Sequence, residues 1–374
     1  MITSASSLRG HMVSLTMSVF AVVSVGFAGL ASAIPFYPYQ NYPGPAPSAF
    51  GVTGAALPNG RLVLWNGDEI YVQQAVNADS FARVSSGYIG DPGFVAVAPD
   101  GHTLVLGAGF GGNLYRFDVN APDNYSSTHL ITSVPGHFSG VFLTSTLLLL
   151  DVGRLDFTGS ELHILDLSGA KSLPQPVVRK SGKYFLPKSM VIDKPPFAYS
   201  SSVAVDITNN LVYAMDANTR ELRFFSRTAL INAFTSNTTL DWAADGTLVG
   251  TVGQFYSGGV AGITPAGYLI IGGSAGFMQP GGIQIVDPNL SNPSAATVVS
   301  TEDPLGTQPY YSVIYNPYTD VITADAFGIV FSSAPFAQLP AVTSSGVAAL
   351  VGTLCCAGAI YLRRRRRAVR ILRG

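Results

Sequence analysis

Two glycine-rich stretches of this 374-residue chain have the spacing of reactive sites. Gly107-Ala108-Gly109-Phe110-Gly111-Gly112 fits a dinucleotide fingerprint and follows an apolar segment. That chemistry needs a helix next, because the first N–H groups of the helix hold the pyrophosphate. Asn113 to Val119 instead alternates apolar and polar residues, which predicts a strand and makes the glycines an inter-strand loop. Gly272-Gly273-Ser274-Ala275-Gly276 matches a hydrolase nucleophile elbow, but no histidine follows Ser274, so a triad in that chain order is impossible. The histidines, His11, His102, His129, His137 and His163, lack zinc-ligand spacing. The sequence thus assigns no catalytic residue, cofactor or metal site.

Two clusters of charge remain. Asp68, Asp151, Asp216 and Asp325 recur where the second strand of a repeat would end, on loops that a ring of repeats would open to one rim. Asp151 shares its loop with Asp156, and Asp216 with Asn218; calcium takes about six to eight oxygens, and these loops are less dense than a calcium loop. Asp151, Asp216 and Asp325 are therefore read as rim acids, with a turn-forming role as the plain alternative. All five lysines, Lys171, Lys180, Lys183, Lys188 and Lys194, gather with Arg179 in one long, proline-rich connection. They predict a positive projection that attracts a polyanion such as surface polysaccharide; the alternative is a solvated loop.

The surrounding chain is poor in charge, 11% against roughly 25% for an average soluble domain. Arg9 precedes residue 34 and seven arginines follow residue 362, leaving 13 basic against 22 acidic residues between, a net of −9. That sign excludes nucleic acid as the natural partner. Cys355 and Cys356, the only cysteines, lie outside the central region, so that region is built without disulfides.

The elements that would position these residues repeat. An apolar segment, a tight turn, a second apolar segment, a loop and an alternating third segment recur six times. The turns fall at Pro58-Asn59-Gly60, Pro99-Asp100-Gly101, Thr144-Ser145, Thr208-Asn209-Asn210, Pro265-Ala266-Gly267 and Pro317-Tyr318-Thr319. Asn and Gly tolerate the positive φ that hairpin turns demand. The third segments are Glu69 to Val72, Leu114 to Asp118, Glu161 to Leu167, Glu221 to Phe225, Gly282 to Val286 and Gly328 to Phe331. Turn-to-turn spacing, from about 41 to about 65 residues, lies near the roughly 40–50 of one four-stranded propeller blade. The expected fold is an all-β propeller of six blades, or seven if Trp242 to Leu248 begins a degenerate one; a β-sandwich is the alternative fold. Fourth strands are expected at Thr128 to Val134 and Ala296 to Val299, the last copy lacks one, and residues near Phe50 to Ala56 are expected to help close the ring. No long helical period shows in this region. The pattern resembles the repeat propellers of the NHL and WD kind without their signature dipeptides.

Both ends predict export. Arg9 and His11 precede an apolar run from Val13 to Leu30, and Ala31-Ser32-Ala33 supplies the small-residue cleavage pattern, so the mature chain is expected to begin near Ile34. An uncleaved anchor is the alternative. Val342 to Leu362 carries no charge and is long enough to cross a hydrocarbon core; Arg363 to Arg367, Arg370 and Arg373 hold its end on the cytoplasmic side. The expected organisation is a signal peptide (1–33), a Pro/Tyr-rich spacer (34–48), the propeller (49–334), a linker (335–341), a single transmembrane helix (342–362) and an arginine tail (363–374).

The uncharged helix, its junction Ala359-Ile360-Tyr361-Leu362-Arg363 and the arginine block resemble the tail of the PEP-CTERM family of bacterial surface proteins, which are processed by an exosortase. The Pro-Glu-Pro motif is missing, with Gln338-Leu339-Pro340-Ala341 in its place, which keeps a plain single-pass anchor as the alternative. The resemblance implies an ectodomain displayed outside the cytoplasmic membrane. The resulting expectation is a non-catalytic adhesion or scaffold module with a polysaccharide or protein partner. The rival is an extracytoplasmic lyase or hydrolase with its site at the central opening, since propellers can assemble sites from single residues on several loops.

Overall fold

A computed structural model describes residues 34–39, 44–47, 49, 51–153, 160–168, 191–193, 201–216, 220–251, 257–274, 280–304, 306, 308–327 and 329–333. The first element is a short strand, β1 (Phe36–Pro38). Blade 1 follows with β2 (Thr53–Ala56), β3 (Leu62–Trp65), β4 (Ile70–Gln73) and β5 (Phe81–Ser85). Blade 2 is β6 (Phe94–Val97), β7 (Thr103–Gly107), β8 (Asn113–Asp118) and β9 (Leu130–Ser133). Blade 3 is β10 (His137–Phe142), β11 (Leu147–Gly153), β12 (Ser160–Asp166) and β13 (Val191–Asp193). Blade 4 holds β14 (Ser201–Asp206), β15 (Leu211–Met215) and β16 (Glu221–Ser226). A helix, α1 (Arg227–Ser236), and a two-residue strand, β17 (Leu240–Asp241), then precede its fourth strand, β18 (Thr247–Thr251). Blade 5 is β19 (Ser257–Ile263), β20 (Leu269–Ser274), β21 (Gly281–Asp287) and β22 (Thr297–Glu302). Blade 6 is β23 (Ser312–Asn316), β24 (Val321–Asp325) and β25 (Val330–Ser333), with β1 as its outermost strand. The fold is a six-bladed β-propeller.

The turn chemistry that marks the blades in sequence is the chemistry that builds them. Gly60, Gly101, Asn210, Gly267 and Asp320 close the first hairpin of five blades, with φ of 82°, 79°, 55°, 86° and 57°. In four of them the N–H of this residue bonds back three positions at 2.8–3.3 Å, as in Gly101 to Ala98. The second strands are mostly apolar and sit inside their blades; every residue of β3 (LVLW) and of β7 (TLVLG) is buried. Trp65, Tyr88 and Phe117 fill the seam between blades 1 and 2, and Phe94, Leu148 and Leu150 that between blades 2 and 3.

Four differences from the sequence reading have physical causes. The missing fourth strand of blade 6 comes from the segment expected to be a spacer: Phe36, Tyr37 and Pro38 pair with Ser333, Ser332 and Phe331. Thr53–Ala56, expected to take part in closure, is instead the innermost strand of blade 1. Trp242 to Leu248 starts no seventh blade, because β17 pairs in parallel with β13 of blade 3 while β18 pairs with β16 of blade 4. The helix α1 was not expected; it buries only Leu230 and Ala233, too narrow a stripe to show as a period. Ser226 caps its start, accepting from Ala229 N, and Asn237 in the left-handed region ends it.

The expected signal peptide (1–33), the expected linker, transmembrane helix and arginine tail (335–374), and the basic residues Lys171, Arg179, Lys180, Lys183, Lys188 and Lys194 lie outside the described residues. Among the described residues no helix is long and apolar enough to cross a membrane.

Candidate functional site at the axial rim

First strands begin, and second strands end, at the same rim. The three rim acids sit there, one each on blades 3, 4 and 6. Asp151 is buried within β11, its main chain paired with Ser139 and Leu162. Asp216 is buried just past β15, its N–H bonded to Glu221 O at 2.9 Å. Asp325 ends β24, and its carboxylate accepts from Val52 N at 3.0 Å, tying blade 6 to blade 1. Among the described residues no group of three or more His, Cys, Asp or Glu is arranged to hold a metal ion. Asp156 and Asn218 lie outside the described residues. Asp68 accepts from Gly87 N at 2.7 Å, fastening the loop that leads to blade 2.

The glycine motifs follow their strand context. Gly107 ends β7 and Asn113 starts β8, so the fingerprint joins two strands. Gly272, Gly273 and Ser274 belong to β20. The histidines serve locally: His102 Nδ1 lies 3.1 Å from Asp118, and His163 Nε2 lies 2.7 Å from Glu161. His137 is fully buried with Nδ1 against Val134 O, and burial pushes its pKa down to about 4, so it is neutral at pH 7.

The axial cavity, of about 360 Å³, is lined by the innermost strands of all six blades: residues 54–56, 95–97, 140–142, 203–205, 261–263 and 313–315. Its walls are mostly Gly, Ala, Val and Ile, and Pro317 and Tyr318 place one end beside a first-hairpin turn, opposite the acid-bearing rim. None of Asp151, Asp216 and Asp325 lines it. Apart from Tyr315 and Tyr318, the lining carries no ionisable side chain.

The rim around blades 6, 1 and 2 is different. Tyr311, on the connection into blade 6, donates its hydroxyl to Pro92 O at 3.0 Å, reaching past the inner edge of blade 1. Gly51 permits this: a Cβ there would lie 2.3 Å from Tyr311 Cγ and 2.7 Å from Asp325 Oδ2. Phe327 packs edge-on to Tyr311 at 5.5 Å, and Phe110 edge-on to Phe138 at 4.8 Å. Gly109 joins the two halves, since a Cβ there would lie 3.0 Å from Phe138 Cε1 and 3.1 Å from Asp91 O. Asp91 is half-buried, and burial holds its carboxyl above the usual carboxylate range. Tyr311 is raised by burial and further by the charges of Asp91 and then Asp325. Phe110 is 41% exposed, and Ile89 and Ile329 stand exposed beside these loops.

The sequence reading passed over this group. Gly90-Asp91-Pro92-Gly93 has the composition of an ordinary turn, and the four aromatic rings are spread from residue 110 to residue 327. Only the ring topology brings them together.

No protein-family model matches the chain, and no curated protein sequence matches it. Solved structures resemble it. A luciferin-regenerating enzyme is 10% identical, with 81% of this chain and 96% of that one covered and a TM-score of 0.51. A Bacteroides thetaiotaomicron protein of unknown function is 12% identical, with 81% and 71% covered and a TM-score of 0.45. The β-propeller domain of Myceliophteria thermophila Cps50 (Swd1) is 11% identical, with 80% and 99% covered and a TM-score of 0.47. At such identity the likeness is one of fold alone.

Proposed function

We propose that the chain is an exported, membrane-tethered propeller that binds an envelope polysaccharide without transforming it. One observation carries this reading: the aromatic rings of Phe110, Phe138, Tyr311 and Phe327 share the rim with the half-buried carboxylate of Asp91. A pyranose ring presents an apolar face and a rim of hydroxyls. Aromatic rings offer area to the first, and a carboxylate accepts hydrogen bonds from the second.

The ends of the chain complete the proposal. The leader directs export, Val342 to Leu362 anchors the ring, and the arginine tail stays inside, in the arrangement of an exosortase substrate. The basic stretch Lys171–Lys194 adds a long-range attraction for acidic polysaccharides. The test is titration of the detergent-solubilised full chain with envelope polysaccharide at low and high salt. Saturable binding without release of reducing ends or unsaturated sugars supports the proposal. Turnover of the polymer favours the enzyme, and absence of binding even at low salt removes the polysaccharide. Mass spectrometry of the mature C-terminus distinguishes exosortase cleavage from a retained anchor.

A further inference from the structure

Glu302, the last residue of β22, is 2% exposed. Its carboxylate accepts from two groups: the hydroxyl of Ser300 and the main-chain N of Ile34, the latter at 2.8 Å across 268 positions of chain. Ile34 is itself 5% exposed and lies two residues before β1, the strand that closes the ring. Both donors are neutral while Ile34 is inside a peptide bond, and a buried carboxylate served only by neutral donors is costly. Ile34 is also the residue at which the small-residue pattern Ala31-Ser32-Ala33 sets the start of the mature chain. The burial of Glu302 and the cleavage pattern are independent observations, and they meet at one nitrogen atom.

We propose that Glu302 is the acceptor site for the α-ammonium group created at Ile34 by leader removal, so that ring closure is completed by processing. A leader-cleaving protease adds water across the Ala33–Ile34 amide; the carboxylate leaves with Ala33, and the freed amine takes a proton to become the counter-ion of Glu302. The pair fixes Ile34, two residues before β1, to blade 5, while β1 itself pairs with β25 of blade 6. The cleaved end thereby bridges the last two blades. This inference rests on the export reading above and adds a function for the new terminus.

The test uses the full chain expressed with its leader and recovered from membranes. Terminal sequencing is expected to find Ile34 first; a different first residue on an exported chain overturns the inference while leaving export intact, and an uncleaved, non-exported chain overturns both. Thermal unfolding is then compared for four forms: wild type, Glu302→Gln, a chain whose cleavage is blocked by Ala33→Phe, and the double variant. Glu302→Gln should lower the midpoint of the processed chain by several degrees and that of the blocked chain by much less. Equal losses in both would assign Glu302 a role independent of the terminus. Should Glu302→Gln fail to fold, acylation of the wild-type α-amine answers instead. Labelling about ten-fold slower in the folded than in the unfolded protein supports the pair, and equal rates overturn it.

Discussion

Blade 3 meets blade 4 through grease, and blade 6 meets blade 1 through named hydrogen bonds. The first seam buries Leu149, Leu162, Ile164, Val203, Val212, Phe225, Leu230 and Trp242 in one cluster, with α1 laid against it. Two polar ties join in: Val203 N to Ser139 Oγ at 2.9 Å and Arg227 Nε to Leu143 O at 2.7 Å. At the second seam the buried cluster shrinks to Val52, Leu62, Leu64 and Ile314. Asp325 takes Val52 N, Ser312 Oγ donates to Val52 O, and Asn316 Nδ2 donates to Gly60 O at 2.9 Å. The difference follows from chain connectivity. Blades 3 and 4 are neighbours in sequence, so non-directional burial suffices to dock them. The partners across the closing seam stand 256 to 273 positions apart. Their register needs directional contacts, because hydrophobic packing alone would accept a slipped closure.

The largest loss should therefore come from the apolar seam. Phe225 is 1% exposed and packs on Trp242 at 5.6 Å. Phe225→Ala is expected to cost about 3–5 kcal/mol, measured by denaturant unfolding as a drop in the midpoint with an unchanged slope. A loss below about 1 kcal/mol would mean that α1 and its cluster are peripheral to the blade 3–blade 4 contact.

The seam between blades 2 and 3 offers the same contrast in reversible form, because one titratable ring is sealed in it. His137 packs on Phe94 at 5.7 Å, with a folded pKa of about 4 against an ordinary 6.5. Above pH 6.5 the ring is neutral whether the chain is folded or not, and stability is at its maximum. Between 6.5 and 4 the unfolded chain takes up a proton that the folded one refuses, so stability falls with falling pH, then levels off below about 4. The loss amounts to roughly 3 kcal/mol, and His137→Gln should flatten that part of the stability–pH curve. An unchanged curve in the variant would place the acid sensitivity elsewhere.

Asp325→Ala attacks the closing seam and should cost less, about 1–3 kcal/mol, the penalty for stranding the buried Val52 N–H. Its signature is local. Hydrogen exchange should speed up first in β1, β2 and β25, with blades 3 and 4 still protected, whereas Phe225→Ala should open blades 3 and 4 first. Uniform acceleration in both variants would show that the ring opens as one unit and erase the distinction between seams.

The same distinction decides what the sequence could reveal. Hairpins were legible because their information is local: turns such as Pro99-Asp100-Gly101 and strands such as Leu114 to Asp118 declare themselves within about ten residues. Closure was not, because Phe36-Tyr37-Pro38 has the composition of an extended linker and becomes a strand only when Ser333 arrives beside it. Trp242 to Leu248 misled for the same reason, since the short strand before it pairs with blade 3 and its own Thr247 and Leu248 pair with blade 4. The rim fared likewise. Asp325 was visible as a recurring acid, but its bond to Val52 N was not. Asp91 and Tyr311 become neighbours only through the closed ring.

The smallest stability effect, and the one that bears most on function, belongs to the rim beside the closing seam. Phe110 is 41% exposed and touches Phe138 edge-on, so Phe110→Ala should change unfolding free energy by no more than about 0.5 kcal/mol. Its polysaccharide affinity should nevertheless fall by about five- to ten-fold, from the loss of one stacking ring. Asp91→Asn keeps the shape and removes the charge; since burial already disfavours the ionised carboxyl, this variant should be as stable as wild type or slightly more so. Weakened binding with undiminished stability in both variants would identify the rim as a surface kept for a ligand at no gain to the fold. Affinity unchanged in both would return the aromatic group to a packing role and leave the basic Lys171–Lys194 stretch as the ligand-facing element.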